Sequence, residues 1–157
     1  MVRFLGMVPH TAKQIANLLV KCFELGGKIL ICGCGGSAAQ AQHMAAEFMG
    51  RFEYDRDPLP AIALTTDTSF LTAWSNDHEY DTVFSRQVEA LGNPGDVLIV
   101  FSTSGKSQSC LGAIKIAKEK QMDIIDFPKV GTNTAKIQEN QLKTAHEVCR
   151  AVERHFI

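Results

Sequence analysis

The chain has no excess charge of either sign. Its 16 Lys and Arg are offset by 17 Asp and Glu, for a net charge of −1 over 157 residues, and no basic run occurs. That balance argues against electrostatic binding to nucleic acid. No stretch approaches the roughly eighteen apolar residues that a membrane helix needs. The opening MVRFLGMVPH has too short an apolar segment for a secretory leader. Cysteine is sparse and odd in number: Cys22, Cys32, Cys34, Cys110 and Cys149, with no CxxC pair. This excludes a disulfide frame and a zinc knuckle, and predicts reduced thiols in a cytoplasmic protein. Linkers, repeats and low-complexity tracts are missing too, which leaves one domain over residues 1–157.

Within that domain apolar runs alternate with helical patterns. Ile15, Leu18, Leu19, Cys22 and Leu25 recur at helical spacing, and Gly26-Gly27 ends them. The first helix is predicted over about 9–26, a sheet-and-helix core over 28–127, and a closing helix over about 133–154. KILIC (28–32), LPAIALT (59–65), DVLIVF (96–101) and MDIIDF (122–127) are short and apolar almost throughout, as strands buried on both faces are. Helices are expected over 38–49, 68–74, 80–91 and 107–120, with Ser75-Asn76-Asp77 as a polar turn. The alternation predicts an α/β fold, a parallel sheet between helical layers. Ligands of such sheets bind at the carboxyl edge.

Two loops at that edge carry polar chemistry. Ser102-Thr103-Ser104-Gly105-Lys106-Ser107 follows the third strand and opens a helix. Its hydroxyls and the helix N-terminus suit a phosphate, although Ser107 as a simple N-cap is an alternative. Gly33-Cys34-Gly35-Gly36-Ser37 resembles a dinucleotide loop, but position 38 is Ala where GxGxxG needs its last Gly. No acidic residue follows at Leu64-Thr65 to hold a ribose, so a dinucleotide site is not expected. His43 and Glu47, four apart, share one helix face. Gln138 and His146 lie eight apart, about two and a quarter turns, so both can face one cavity. Either pair alone could be an ordinary polar face. Together they offer a mixed nitrogen and oxygen set for zinc or a similar cation.

The strings GCGGSAAQAQHMAAEFMGRF, LPAIALTTDTSFLTAWSNDHEYDTVFSRQVEALGNPGDVLIVFSTSGKSQ and NTAKIQENQLKTAH closely resemble the sedoheptulose 7-phosphate (phosphoheptose) isomerases of the SIS, or sugar isomerase, domain family. The resemblance runs from about Met7 to the C-terminus. It implies a flavodoxin-like three-layer sandwich with five parallel strands. It also implies a homotetramer with sites built across subunits, one zinc ion per subunit, and the aldose–ketose isomerisation that begins ADP-heptose synthesis for lipopolysaccharide. His43, Glu47, Gln138 and His146 match the family's metal ligands, and Glu47 and His146 its acid–base pair. Cys34, Gly35, Gly36 and Ser37 match the first substrate loop, and Asn76 and Asp77 a substrate-contacting pair. Ser102, Thr103, Ser104 and Ser107 match the phosphate cradle, with Glu47 and Gln138 also reaching substrate. Binding proteins on the same fold, such as regulators of the replication initiator DnaA, and isomerases of other phosphosugars are the alternatives.

The chain departs from the family twice. Cys34 stands where the family usually has Asn, which leaves the exact sugar open and places a thiol at a helix N-terminus, where a thiolate is favoured. In addition, Phe127 is followed almost at once by the closing helix, so about one α/β unit is absent. Either the unit is lost or a disordered segment is missing from the sequence; because Gln138 and His146 keep the family spacing, the second is expected, with a break in the chain near Phe127–Pro128.

Overall fold

The computed structural model describes residues 11–157, so positions 9–10 of the expected first helix lie outside the described residues. Helix α1 (Ala12–Glu24) starts at a capping box. Thr11 Oγ1 accepts from the Gln14 backbone, and the Gln14 side chain accepts from the Thr11 N–H. β1 (Ile29–Gly33), α2 (Gly36–Met49) and β2 (Ala61–Ala63) follow. α3 (Thr68–Asp77), a 3-10 turn (Tyr80–Thr82) and α4 (Val83–Leu91) lead to β3 (Val97–Phe101). α5 (Gln108–Glu119), β4 (Asp123–Asp126) and α6 (Thr134–Glu153) complete the chain.

The sheet is wholly parallel, in the order β2-β1-β3-β4. β1 and β3 are central and buried at every residue, which is why they read as unbroken apolar runs. Successive side chains alternate between two cores. Ile29, Ile31, Val97, Ile99 and Phe101 pack with α1, α2 and α6. Leu30, Cys32, Leu98 and Val100 pack with α4 and α5, with Phe70, Leu71 and Trp74 of α3 against them. This is the expected three-layer sandwich.

Three expectations are corrected. The sheet has four strands, with β4 at its edge, where the resemblance implies five. The expected break at Phe127–Pro128 is not there, because residues 127–133 join β4 to α6 continuously. Phe127 is fully buried, its N–H donates to Val100 O at 2.9 Å, and Asn140 Nδ2 anchors the connection through Val130 O at 2.8 Å. Six residues reach about 20 Å when extended, enough to turn from the sheet edge into α6 without a further unit. Finally, α3 continues through Ser75, Asn76 and Asp77, and the turn falls at His78 and Glu79. Asp67 caps this helix by accepting from Phe70 N, which commits the whole segment to helix.

Candidate functional site

The chain leaves β1 for β2 on one side and reaches β3 on the other. The carboxyl ends of β1 and β3 therefore form the switch point of the sheet. Gly33 is in register with Phe101, which places the loops after β1 and β3 side by side. Gly35 (φ 60°, ψ −124°) turns the first loop into α2 through a conformation open mainly to glycine. Gly36 is required by crowding. A Cβ there would lie 2.6 Å from Gln138 Nε2 and 3.0 Å from Gln138 Oε1. Gln138 thus seats its amide on the first loop, and its backbone O accepts from Gln40 Nε2 at 2.7 Å. Ser37 is buried at the start of α2.

The second loop folds on its own hydroxyls. Ser102 Oγ accepts from Gly105 N at 2.9 Å, and Ser104 Oγ accepts from Lys106 N at 3.1 Å. From α6, Gln141 Nε2 donates to Ser102 O at 3.4 Å. Ser107 occupies the N-cap of α5, yet its hydroxyl makes no capping hydrogen bond. It sits instead 3.4 Å from Cys34 Sγ and 3.0 Å from Ser109 Oγ. The first N–H groups of α5 consequently receive no side-chain cap, which leaves them, with their partial positive charge, to an anion. Thr103 stands half-buried between the two serines. Asn76 and Asp77 lie elsewhere, exposed on the last turn of α3, with Asn76 Nδ2 donating to Asp77 Oδ1 at 2.9 Å.

A second cluster joins the middle of α2 to α6. His43 Nε2 lies 2.7 Å from Glu47 Oε1, His146 Nε2 lies 3.3 Å from the same oxygen, and the two Nε2 atoms are 3.2 Å apart. One chain supplies all three groups. Two imidazole nitrogens and a carboxylate oxygen converge on one point, so a proton or a cation must stand among them. Donors about 2.0–2.1 Å from a tetrahedral ion lie about 3.3–3.4 Å from one another, close to two of these three separations. Glu47 Oε2 is buried with no hydrogen-bond partner, and the side chain is 11% exposed against 47% for His43 and 34% for His146. These residues are able to hold a metal ion, and the set presents a sunken carboxylate between two accessible imidazoles.

The sequence carried no sign of what holds this cluster in place. Phe52 stacks on His146 with ring centroids 5.4 Å apart. Arg56, whose side chain is 1% exposed, donates from Nη2 to Glu47 O at 2.7 Å and from Nη1 to Phe48 O at 2.9 Å. Its Nε stands 3.5 Å from Glu153 Oε1. Glu153, equally buried, accepts from the backbone N–H groups of Phe52, Glu53 and Tyr54 at 2.9, 2.7 and 3.2 Å. The ends of α2 and α6 are thereby tied through one buried ion pair. Cys149 lies near Glu47, where burial first and the carboxylate second push its thiol well up.

Cys34 lies just before the start of α2, where a thiolate would be favoured, but its surroundings oppose one. The neighbouring Cys110 thiol, and then burial, push it up to about 12. At pH 7.5 almost none is ionised. Iodoacetamide is therefore expected to label native Cys34 more slowly than free cysteine, as peptide mass spectrometry would show. Faster labelling would mean an activated nucleophile.

The chain is similar to known isomerases along most of its length. It is 51% identical over 157 residues to a phosphoheptose isomerase of Synechocystis, covering 90% of this chain and 81% of that protein. It is 52% identical over 156 residues to one of Roseiflexus, covering 89% and 79%. The structure of a phosphoheptose isomerase from Neisseria gonorrhoeae superposes with a TM-score of 0.82 at 42% identity, over 91% of this chain and 85% of that one. One from Francisella tularensis gives 0.84 at 35% identity, over the same shares. The SIS domain family matches residues 10–127, so this parallel sheet, with its two loops at the switch point, belongs to a member of the SIS domain family.

Proposed function

We propose that the chain is a phosphosugar isomerase that converts sedoheptulose 7-phosphate to D-glycero-D-manno-heptose 7-phosphate. The observation that carries this reading is the contact of Glu47 Oε1 with His146 Nε2 at 3.3 Å, a base and an acid side by side in the same cluster. The names of the relatives support the substrate. Aldose–ketose conversion removes a proton from C1 of the ketose and returns one to C2. Glu47 takes the C1 proton, the C–H electrons form the C1–C2 double bond, and O2 accepts a proton from His146. In the second half His146 takes the proton of O1, the C1 carbonyl forms, and Glu47 delivers its proton to C2. Sinking Glu47 among the imidazoles keeps it oriented for both transfers.

His43, Glu47 and His146 would hold a zinc ion, with Gln138 the fourth ligand by resemblance, and His146 Nε2 would carry a proton only while it is off the ion. When bound, the ion supplies positive charge for the developing enediolate oxygens. Ser102, Thr103, Ser104 and Ser107, with the uncapped start of α5, take the phosphate, and Cys34, Gly35, Gly36 and Ser37 line the neighbouring wall. Asn76 and Asp77 reach substrate only in the assembled protein, a homotetramer with sites shared between subunits. α3 supports assembly: Phe70, Leu71 and Trp74 pack against the α4–α5 core on one side, yet no residue of the helix is fully buried within the chain. The five unpaired cysteines fit a cytoplasmic enzyme, and no helix among the described residues is long and apolar enough to cross a membrane.

Incubation of the zinc-loaded protein with sedoheptulose 7-phosphate tests the proposal. The expected result is accumulation of an aldose heptose 7-phosphate by chromatography. A folded, zinc-loaded protein that forms none overturns it and leaves a docking protein on the same fold.

A further inference from the structure

The thiol of Cys34 and the hydroxyls around it connect two parts of the molecule that no local pattern relates. Tyr80, in the 3-10 turn before α4, places its hydroxyl 3.6 Å from Cys34 Sγ. Cys34 Sγ lies 3.3 Å from Ser109 Oγ and, less closely, 3.4 Å from Ser107 Oγ, while the two serine hydroxyls lie 3.0 Å apart. Ser109 is 1% exposed, so water does not compete for its hydroxyl. Ser107 is at the N-cap but does not cap. Something must hold its hydroxyl away from the N–H groups it would otherwise satisfy.

We propose that Tyr80, Cys34, Ser109 and Ser107 form a one-way hydrogen-bond chain that presents the Ser107 O–H as a donor to the phosphate, making Ser109 and Tyr80 positioning residues. The inference rests on the reading of Ser102–Ser107 as the phosphate loop. Each link has one proton to give. Tyr80 O–H donates to the sulfur, the S–H to Ser109 Oγ, and the Ser109 O–H to Ser107 Oγ. The Ser107 proton is then the one left over. A phosphate dianion only accepts hydrogen bonds, so its presence at the end of the chain selects this direction over the reverse. The chain needs every member protonated, and both ends of the Tyr80–Cys34 link meet that need. Loss of hydration, and then the Cys34 thiol, push Tyr80 up to about 12, and Cys34 is pushed up to about 12 as well. A carboxamide, which the family usually has in place of Cys34, would bring its own two N–H donors. The thiol brings one, and so depends on Ser109 and Tyr80 to set its direction.

Titration calorimetry of the full-length protein with inorganic phosphate tests the chain, together with KM and kcat for sedoheptulose 7-phosphate. Ser109→Ala is expected to weaken phosphate binding and raise KM by about fivefold to tenfold with kcat retained, the loss of one net hydrogen bond. Tyr80→Phe should weaken phosphate binding about twofold to threefold, because its link to sulfur is the longest and weakest. Added to Ser109→Ala, it should have less effect than alone, since only the longer direct contact of Cys34 with Ser107, at 3.4 Å, then links it to the loop. A purely structural role would lower Tm and leave the phosphate affinity of the folded protein alone. Wild-type affinity in both single variants, or effects that multiply in the double variant, overturns the chain. Should Ser109→Ala not fold, Tyr80→Phe decides alone, because Tyr80 is half exposed and the change removes only its hydroxyl. Wild-type protein that turns over the sugar phosphate but binds no phosphate overturns the phosphate-loop reading and the chain with it. Wild-type binding with unchanged variants overturns only the chain.

Discussion

Glu47→Gln is expected to abolish isomerase turnover while the protein stays folded and still binds phosphate. Glutamine keeps the shape of the side chain and can still hydrogen-bond His43 and His146 from the same place. It has no basicity, so it cannot take the C1 proton. General acid–base groups contribute about 10²–10⁴-fold, and among the described residues Glu47 is the only carboxylate within hydrogen-bonding distance of both imidazoles, so the loss should reach or exceed the upper end of that range. The phosphate loop follows β3, whereas Glu47 lies near the end of α2, so inorganic phosphate should bind as before. The measurements are kcat, phosphate affinity by calorimetry, and bound zinc by elemental analysis. A kcat within a few fold of wild type would remove Glu47 from proton transfer. Loss of zinc together with kcat would assign the effect to the ligand role of the same carboxylate.

Glu153→Ala should be strongly destabilising. The carboxylate satisfies three backbone N–H groups and faces Arg56, and the two charged side chains are each 1% exposed. Removing one member of a buried ion pair typically costs about 3–5 kcal/mol, because the partner charge is left uncompensated. At roughly 2–4 °C per kcal/mol for a chain of this size, Tm should fall by about 10 °C or more. The same change frees the segment that carries Phe52, which stacks on His146, and loosens Arg56, which holds the Glu47 carbonyl. Activity should therefore drop even below the new Tm. Glu153→Gln, which keeps acceptor capacity on one side, should recover part of both losses. A Tm within 2–3 °C of wild type for the alanine variant would mean that water replaces the carboxylate and that the pair is not a tie between α2 and α6.

Much of the molecule was legible in local pattern. KILIC and DVLIVF read as strands because β1 and β3 are buried on both faces, so every position is apolar. The Ser-rich and Gly-rich loops stood out because flexible backbone and hydroxyls concentrate in a few consecutive residues. His43 and Glu47 were a pair by helical spacing alone. The similarity to the SIS family was legible for the same reason: its signature lies in contiguous strings. The end of α3 was misjudged because Ser, Asn and Asp favour turns as isolated residues, while the Asp67 cap and the packing of Phe70 and Trp74 carried the helix through them.

The sequence by itself determined most of the strand and helix segments, and that α2 presents an imidazole and a carboxylate on one face. Each of those depends on neighbours within about two helical turns or one strand. Only the tertiary structure decided that His146 of the same chain closes on them, and that four strands suffice to deliver α6. The Arg56–Glu153 pair and the hydroxyl–thiol chain from Tyr80 to Ser107 were likewise decided there. His43 and His146 are separated by 103 residues, Phe52 and Glu153 by 101, and Cys34 and Ser109 by 75. Contacts across such separations leave no periodicity or spacing in the chain. They exist because parallel pairing sets the ends of β1 and β3 side by side and because α2 and α6 share one face of the sheet.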